Sequence, residues 1–299
     1  MYMAKKKRWG KKWEDKRDWK KYNKHLIQRG VFYIDPCFLD TWEKEIYLMN
    51  QGKIGQPYKY PQSMIEFLAV LYSKGFDYRS LQGIMIGLSN RLGPFPVISF
   101  SQIRRRIIKL PFSFIRRAEK MIVAADGTGV KVSNRGEWMR QKWKVKRGWI
   151  KVVILGTIDG DIIDIRVGNE NLDERASSRG MLRKKKKNIK KILLDGLHDC
   201  NDTFKLCDEF DIETGIKIRE NANPKGLGKR PREVRLYQKL GYKKWSKEKK
   251  YGFRWVASEG IFSAVKRMFG ENVRSHKRRN MYHEAKLKFW SYQQLRNVV

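Results

Sequence analysis

Ile122-Val-Ala-Ala-Asp-Gly-Thr-Gly129 marks the point in this 299-residue chain where the hydrophobic period changes. Upstream, from Ile34 to Lys109, apolar residues recur at the three- to four-residue steps of helices. From Lys120 onward they come in short β-branched runs. Met121 to Ala125, Ile150 to Ile158 and Ile162 to Val167 read as three successive antiparallel strands, the last two joined by the turn signal Asp159-Gly-Asp161. A fourth strand, Ile192 to Asp195, a helix near Asp202 to Phe210, a fifth strand, Gly215 to Arg219, and closing helices follow. The order βββ-α-β-α-β-α predicts a mixed α/β (α+β) sheet covered by helices. In it Asp126 ends the first strand and Asp195 the fourth, and both carboxylates emerge at one rim.

Working back toward the N-terminus, Phe38, Trp42, Ile46 and Met49 form one helical stripe, and Ser63-Met-Ile-Glu66 reads as a capping box opening a helix with Ile65, Leu68, Ala69 and Tyr72. A helix through Tyr78 to Ile84 ends at Gly93-Pro-Phe-Pro96. Ser99-Phe-Ser-Gln102 then caps a short helix carrying Arg104, Arg105, Arg106 and Lys109. The order resembles a helix-turn-helix with a basic second helix, which makes Arg104, Arg105 and Arg106 candidate DNA contacts; a basic surface helix is the plainer alternative. Residues 1 to about 24 interleave Lys and Arg with Trp9, Trp13, Trp19 and Tyr22, as a solvated tail or a phosphate-tracking arm does. The expected organisation is a basic arm over 1–30, an all-α helix-turn-helix-like domain over 31–115 and a catalytic domain over 116–299.

The net charge is +36, from 67 Lys and Arg against 31 Asp and Glu. Such a surface suits a polyanion held by its phosphates. With 41% hydrophobic and 12% aromatic residues the chain can bury a substantial core. No run approaches the roughly 18 apolar residues of a membrane span, and the start lacks the apolar core of a signal peptide, so the expected location is the cytoplasm. Cys37, Cys200 and Cys207 contain no CxxC pair and read as reduced, buried thiols. The segment Arg135 to Lys151 sets Trp138, Trp143 and Trp149 among cations. These rings either stack exposed bases or anchor a hairpin on the core.

Against this basic background three carboxylates stand out: Asp126, Asp195 and Glu259, the last in Trp255-Val-Ala-Ser-Glu-Gly-Ile-Phe-Ser-Ala-Val-Lys266. At about 100° per residue, Glu259, Ser263 and Lys266 project along one line, opposite Ala257, Ile261, Val265 and Met268. Glu259 thus leaves the core beside Lys266. Two or three carboxylates with an exposed face suffice for Mg²⁺, which prefers hard oxygen ligands and keeps several waters. A metal site facing nucleic acid suggests phosphoryl transfer.

Over most of its length the chain resembles the DDE transposases of prokaryotic insertion sequences, especially the group named for insertion sequence five. Asp126 in Ala-Asp-Gly-Thr-Gly is similar to that family's first aspartate, and Asp195 in Leu-Leu-Asp-Gly-Leu-His-Asp-Cys-Asn-Asp to its second. Tyr251, Arg254, Glu259 and Lys266 resemble its Tyr-Arg-Glu-Lys signature. Four residues separate Arg254 from Glu259, where the family pattern has three.

The resemblance implies an RNase H-like catalytic core and two Mg²⁺ or Mn²⁺ ions held by Asp126, Asp195 and Glu259. It also implies cleavage and transfer of DNA strands at element ends. Arg254, Lys266 and Tyr251 become DNA-contacting candidates, Tyr251 equally a packing residue. The implied partners are double-stranded DNA, as terminal inverted repeats and target, and further copies of the chain in a homodimer or higher oligomer; no membrane is implied. The rival readings are a metal-dependent nuclease without strand transfer and a non-catalytic nucleic-acid-binding derivative.

Overall fold

The β-branched run around Asp126 builds the centre of a sheet in the computed structural model, which describes residues 18–114, 119–132 and 149–297. β1 (Met121–Val132) pairs antiparallel with β2 (Trp149–Thr157), and β2 antiparallel with β3 (Ile162–Asn169). On its other side β1 pairs parallel with β4 (Ile189–Leu194), and β4 with β5 (Glu213–Ile216). The order is β3-β2-β1-β4-β5, with β6 (Asn272–Val273) parallel to the far end of β1. This is the mixed α/β arrangement expected of an RNase H-like core. The β2–β3 turn closes at Gly160, whose φ of +90° suits glycine, with Thr157 N–H donating to the Asp161 carbonyl at 2.8 Å.

The helices are α1 (Trp19–Phe32), α2 (Trp42–Asn50), α3 (Gln62–Lys74), α4 (Tyr78–Leu92) and α5 (Phe100–Lys109) before the sheet. Within and after it come α6 (Glu174–Lys185), α7 (Asn201–Glu209), α8 (Lys229–Glu248), α9 (Phe253–Trp255), a π turn (Val256–Gly260), α10 (Ile261–Phe269) and α11 (Arg278–Asn297). Local chemistry sets several starts. Asp77 Oδ1 accepts from the Arg79 and Ser80 amides at the head of α4, and Ser99 Oγ accepts from the Gln102 amide at the head of α5.

The sheet has two covered faces. On one, Val123, Ala125, Val153 and Leu155 pack against Met181 and Leu182 of α6 and Phe204 and Cys207 of α7. On the other, Val152 and Ile154 pack with Val265 of α10 and Phe289 and Trp290 of α11. This apolar core continues without a break into Leu68 of α3, Leu81 of α4 and Ile103 of α5. The N-terminal helices therefore form a layer laid on the sheet through α11, and Ser73 of α3 meets Ser291 of α11 at 2.9 Å between hydroxyls.

Several expectations need correction. Asp126 is not the last residue of its strand: β1 runs on to Val132 because β2 pairs with it throughout, from Val123 to Lys131. The fifth strand lies earlier, at Glu213–Ile216. Ser63 is not a cap but sits within the first turn of α3, whose N-cap is Pro61. Proline has no side-chain acceptor, and Glu45 of α2 reaches across to take the Ser63 amide at 2.9 Å and hydroxyl at 2.5 Å. Cys37 is exposed and only Cys207 is buried, its thiol pushed up to about 12 by that burial. Trp138 and Trp143, with the cations around them, and Trp9 and Trp13 of the arm lie outside the described residues. Trp149 opens β2 with its ring over Gly129, where a Cβ would come within 2.9 Å of the ring.

Candidate active site

Strand register brings the two aspartates together. The last paired positions of β1 and β4 are Ala124 and Leu193; two residues on stand Asp126, within β1, and Asp195, which does not end the fourth strand but follows its last residue, Leu194, and caps the next turn. Ala124 and Leu193 share a small apolar cluster with Ala257 of the π turn, so the face on which Asp126 and Asp195 project is the face that the π turn covers. Beyond this point β4 has ended, and among the described residues no strand pairs with β1 on that edge until β6 meets Lys131 and Val132, which leaves a notch at the rim.

The turn after β4 is braced from below. Asp195 Oδ1 accepts from the Leu197 amide at 3.0 Å, while Arg219 donates from Nε to the Gly196 carbonyl at 2.7 Å and from Nη2 to the Leu197 carbonyl at 3.0 Å. Asp199, fully buried, takes the Arg219 amide and an ion pair from Arg230 Nε at 2.7 Å. Asp199, Arg219 and Arg230 hold Asp195 in place, and nothing in their sequence spacing marks them.

Arg254 closes the notch. Its Nη1 donates to Asp126 Oδ2 at 2.8 Å, and Asp126 Oδ1 accepts from the Gly127 amide at 2.9 Å. Burial works against the guanidinium charge, but Tyr251, Asp126 and Asp195 together outweigh it and hold the Arg254 pKa above its ordinary value. Tyr251 is buried, its ring 5.1 Å from that of Trp245 and beneath the Arg254 guanidinium at 5.8 Å; burial pushes its hydroxyl up to about 12.

Glu259 comes from the π turn. A π turn carries one residue more than the corresponding α turn, and this one lies over Val256–Gly260, between Arg254 and the end of Glu259's own turn. Ala257 and Ser258 face inward and Glu259 outward, as the helical wheel expects. Glu259 is exposed and makes no hydrogen bond or ion pair with a described residue. The π turn seats closely on β2 only because position 156 is glycine, since a Cβ there would collide with the Ala257 carbonyl oxygen. The Glu271 carboxyl is held below its usual range first by Lys131, at 2.8 Å, and then by Lys266, which is half-buried on α10.

On the opposite face is a carboxylate that the sequence reading passed over. Glu174, in the first turn of α6, packs over Gly127 in space that a Cβ would fill, and pairs with Lys151 Nζ at 2.8 Å. His198 is buried with its Nδ1 unpartnered; burial pushes its pKa down, against the pull of Asp195, Glu174 and Asp126. Only the three-dimensional arrangement reveals Glu174, because a first-turn glutamate is ordinary helix chemistry.

The donor chemistry of Asp126 and Asp195 fits a hard divalent cation, which takes one or two carboxylates and keeps several waters. The full triad is not gathered: among the described residues no group of three or more His, Cys, Asp or Glu side chains converges closely enough to hold a metal ion. Arg254 stands where a cation on Asp126 Oδ2 would stand.

Of the remaining candidates, Arg104 and Arg105 are exposed on α5, while the Arg106 guanidinium lies over the rings of Tyr58 and Tyr60 at 5.5 and 5.4 Å. Among the described residues no helix is long and apolar enough to cross a membrane. Two family models match the chain, each described as a transposase DDE domain, one over residues 27–135 and the other over residues 117–293. The second takes in more than half of the sequence, including Asp126, Asp195, Arg254, Glu259 and Lys266, and the chain belongs to the DDE transposase family.

Proposed function

We propose that the protein is a transposase of an insertion sequence that binds the ends of its element and catalyses cleavage and transfer of DNA strands. The observation that carries this reading is Arg254 paired with Asp126 and held by the charge of Asp195 as well, where β1 and β4 part, in a chain of net charge +36. Asp126, Asp195 and Glu259 would hold Mg²⁺ or Mn²⁺, which when bound neutralises phosphate charge and favours the attacking oxygen. Glu259, exposed and without a described partner, has the freedom to turn toward the aspartates once their mutual repulsion is relieved.

The attacking group is water or a 3′-hydroxyl, displacing the leaving oxygen in line, so no side chain needs to form a covalent intermediate. Arg254 suits a phosphate oxygen because its planar fork already faces the notch. Tyr251 supports that guanidinium from below, and Lys266 adds a point charge on the Glu259 side. Arg104 and Arg105 of α5 face solvent as duplex contacts, within an N-terminal layer that spans the proposed DNA-binding region 31–115. Cleavage at two element ends calls for two active sites, and hence for a homodimer or higher oligomer on DNA.

The test is incubation of the protein with DNA that flanks its coding region, Mg²⁺ and a second duplex, mapping new 3′ ends and joined products. Ends at inverted repeats joined to the second duplex are expected. Cutting without joining leaves a nuclease, and no cutting with retained DNA binding leaves a binding protein.

A further inference from the structure

Away from the notch, a recess of about 300 Å³ lies where the N-terminal layer meets the start of α11. Its floor is aromatic: Tyr72 and Tyr78 stack with ring centroids 4.7 Å apart and planes 12° from parallel. Its walls carry three cations: Arg104 comes from α5, and Arg274 and Lys277 from the segment before α11, with His276 between those two. The residues lining it include no carboxylate.

Arg274 and Ser275, which lead into the recess, are held firmly. Glu284, buried on α11, accepts from the Arg274 amide at 2.8 Å, the Ser275 amide at 2.9 Å and the Ser275 hydroxyl at 2.6 Å. The Arg274 guanidinium lies 4.4 Å over the Tyr72 ring and donates to the Gly75 and Tyr72 carbonyls at 2.8 and 2.6 Å. Arg274 therefore builds the wall. Lys277, exposed at the positive end of the α11 dipole, and Arg104, exposed on α5, are left facing the same opening. Glu284 offsets the Arg274 charge, at 3.9 Å from its Nε, which leaves Arg104 and Lys277 as the two cations at the opening whose charge an anion would meet.

We propose that this recess is a phosphate-binding site, built jointly by α5 and the segment before α11, that takes one backbone phosphate of duplex DNA. It rests on the reading of the protein as a DNA-binding transposase and adds to it a contact from the C-terminal part of the chain. Arg104 supplies a planar fork and Lys277 a point charge to the same phosphate. A duplex gripped here is held to both the N-terminal layer and α11, the helix that covers the catalytic sheet, so the grip fixes DNA relative to the notch.

The experiment measures duplex affinity across a salt series for the full chain, Arg104→Ala, Lys277→Ala and the double variant. Lys190→Ala, an exposed lysine on β4, serves as a control for charge alone. Each site variant is expected to weaken binding about tenfold and to lower the salt slope by about 0.9, the value for one phosphate contact. The double variant is expected to do little more than either single one, because both cations serve one phosphate. Thermal unfolding with inorganic phosphate, against chloride at equal ionic strength, separates the sources: little stabilisation supports a backbone phosphodiester held by the duplex around it. Strong stabilisation that the variants abolish, with unchanged DNA binding, overturns the proposal in favour of a free-phosphate site. Additive losses in the double variant, or losses no larger than those of Lys190→Ala, also overturn it. A wild-type chain that binds no duplex would instead refute the functional reading.

Discussion

Gly156→Ala places one methyl group under the π turn and tests whether the seating of that turn matters to the site. A Cβ at 156 would collide with the Ala257 carbonyl oxygen and come within 2.8 Å of Ile261 Cδ1 and 3.2 Å of the Ala257 carbonyl carbon. Non-bonded carbons sit best about 3.5–4.0 Å apart, so relief requires the turn to lift by roughly 1 Å. Ile261 can rotate away, but Ala257 is backbone and cannot. Overpacking of this kind costs about 1–3 kcal/mol of stability. A lift of about 1 Å beneath Arg254 and Glu259 is expected to slow strand cleavage by about 10²-fold. Gly252→Ala is the matched control, since a Cβ there meets nothing within 4 Å and the backbone is already helical, with φ −56°. Thermal unfolding and single-turnover cleavage of both variants check the argument. A Gly156→Ala protein that cleaves like wild type would show that the chemistry does not depend on how the π turn is seated.

Glu259→Gln is expected to leave the fold intact, because the side chain is exposed, and to reduce Mg²⁺-dependent cleavage by about 10²-fold or more while DNA affinity holds or rises; a filter-binding assay beside a cleavage time course separates the two. Arg254→Ala removes the group that occupies Asp126 Oδ2, so Mn²⁺ binding by the DNA-free protein is expected to tighten about fivefold, the equivalent of ~1 kcal/mol for a partly exposed pair. Unchanged or weaker binding in a Mn²⁺ titration followed by electron paramagnetic resonance would count against that competition. Lys288 donates to the Phe269, Gly270 and Asn272 carbonyls, and burial, opposed by Glu284, pushes its ammonium from 10.5 down to about 8. Between those values the unfolded chain carries a proton that the folded chain lacks, so stability from this group rises as pH climbs from about 8 to 10.5 and is lost as pH falls back through 8. Denaturant titrations of wild type and Lys288→Met across that window should show the rise only in wild type. Under native conditions a maleimide should label Cys37 readily and leave Cys207 untouched until the chain unfolds.

What the sequence revealed and what it concealed follow from the range of the forces involved. Strand runs, the Asp159-Gly-Asp161 turn and the outward line of Glu259 are local patterns, and they could be read directly. The length of β1 depends on β2 pairing with it past Asp126, a non-local effect that no window around Ile122 contains. Ser63 lies inside α3 for a similar reason: the helix starts from Pro61, and the Ser63 amide and hydroxyl are taken by Glu45, far back in the sequence, rather than by Glu66. Glu174, Asp199 and Arg230 gain their roles from neighbours distant along the chain, and the π turn before α10 has no mark in the local sequence.

Asp126 and Asp195, which follow the last paired residues of β1 and β4, are the groups on which strand cleavage is expected to depend. The most direct test of that dependence is single-turnover cleavage of element-end DNA in Mg²⁺ by wild type, Asp126→Asn and Asp195→Asn, with DNA affinity and thermal stability measured on the same preparations. Both variants are expected to fold and bind the ends while cleavage falls by about 10²-fold or more in each. Cleavage at the wild-type rate by either variant, in a preparation free of contaminating nuclease, would contradict that expectation.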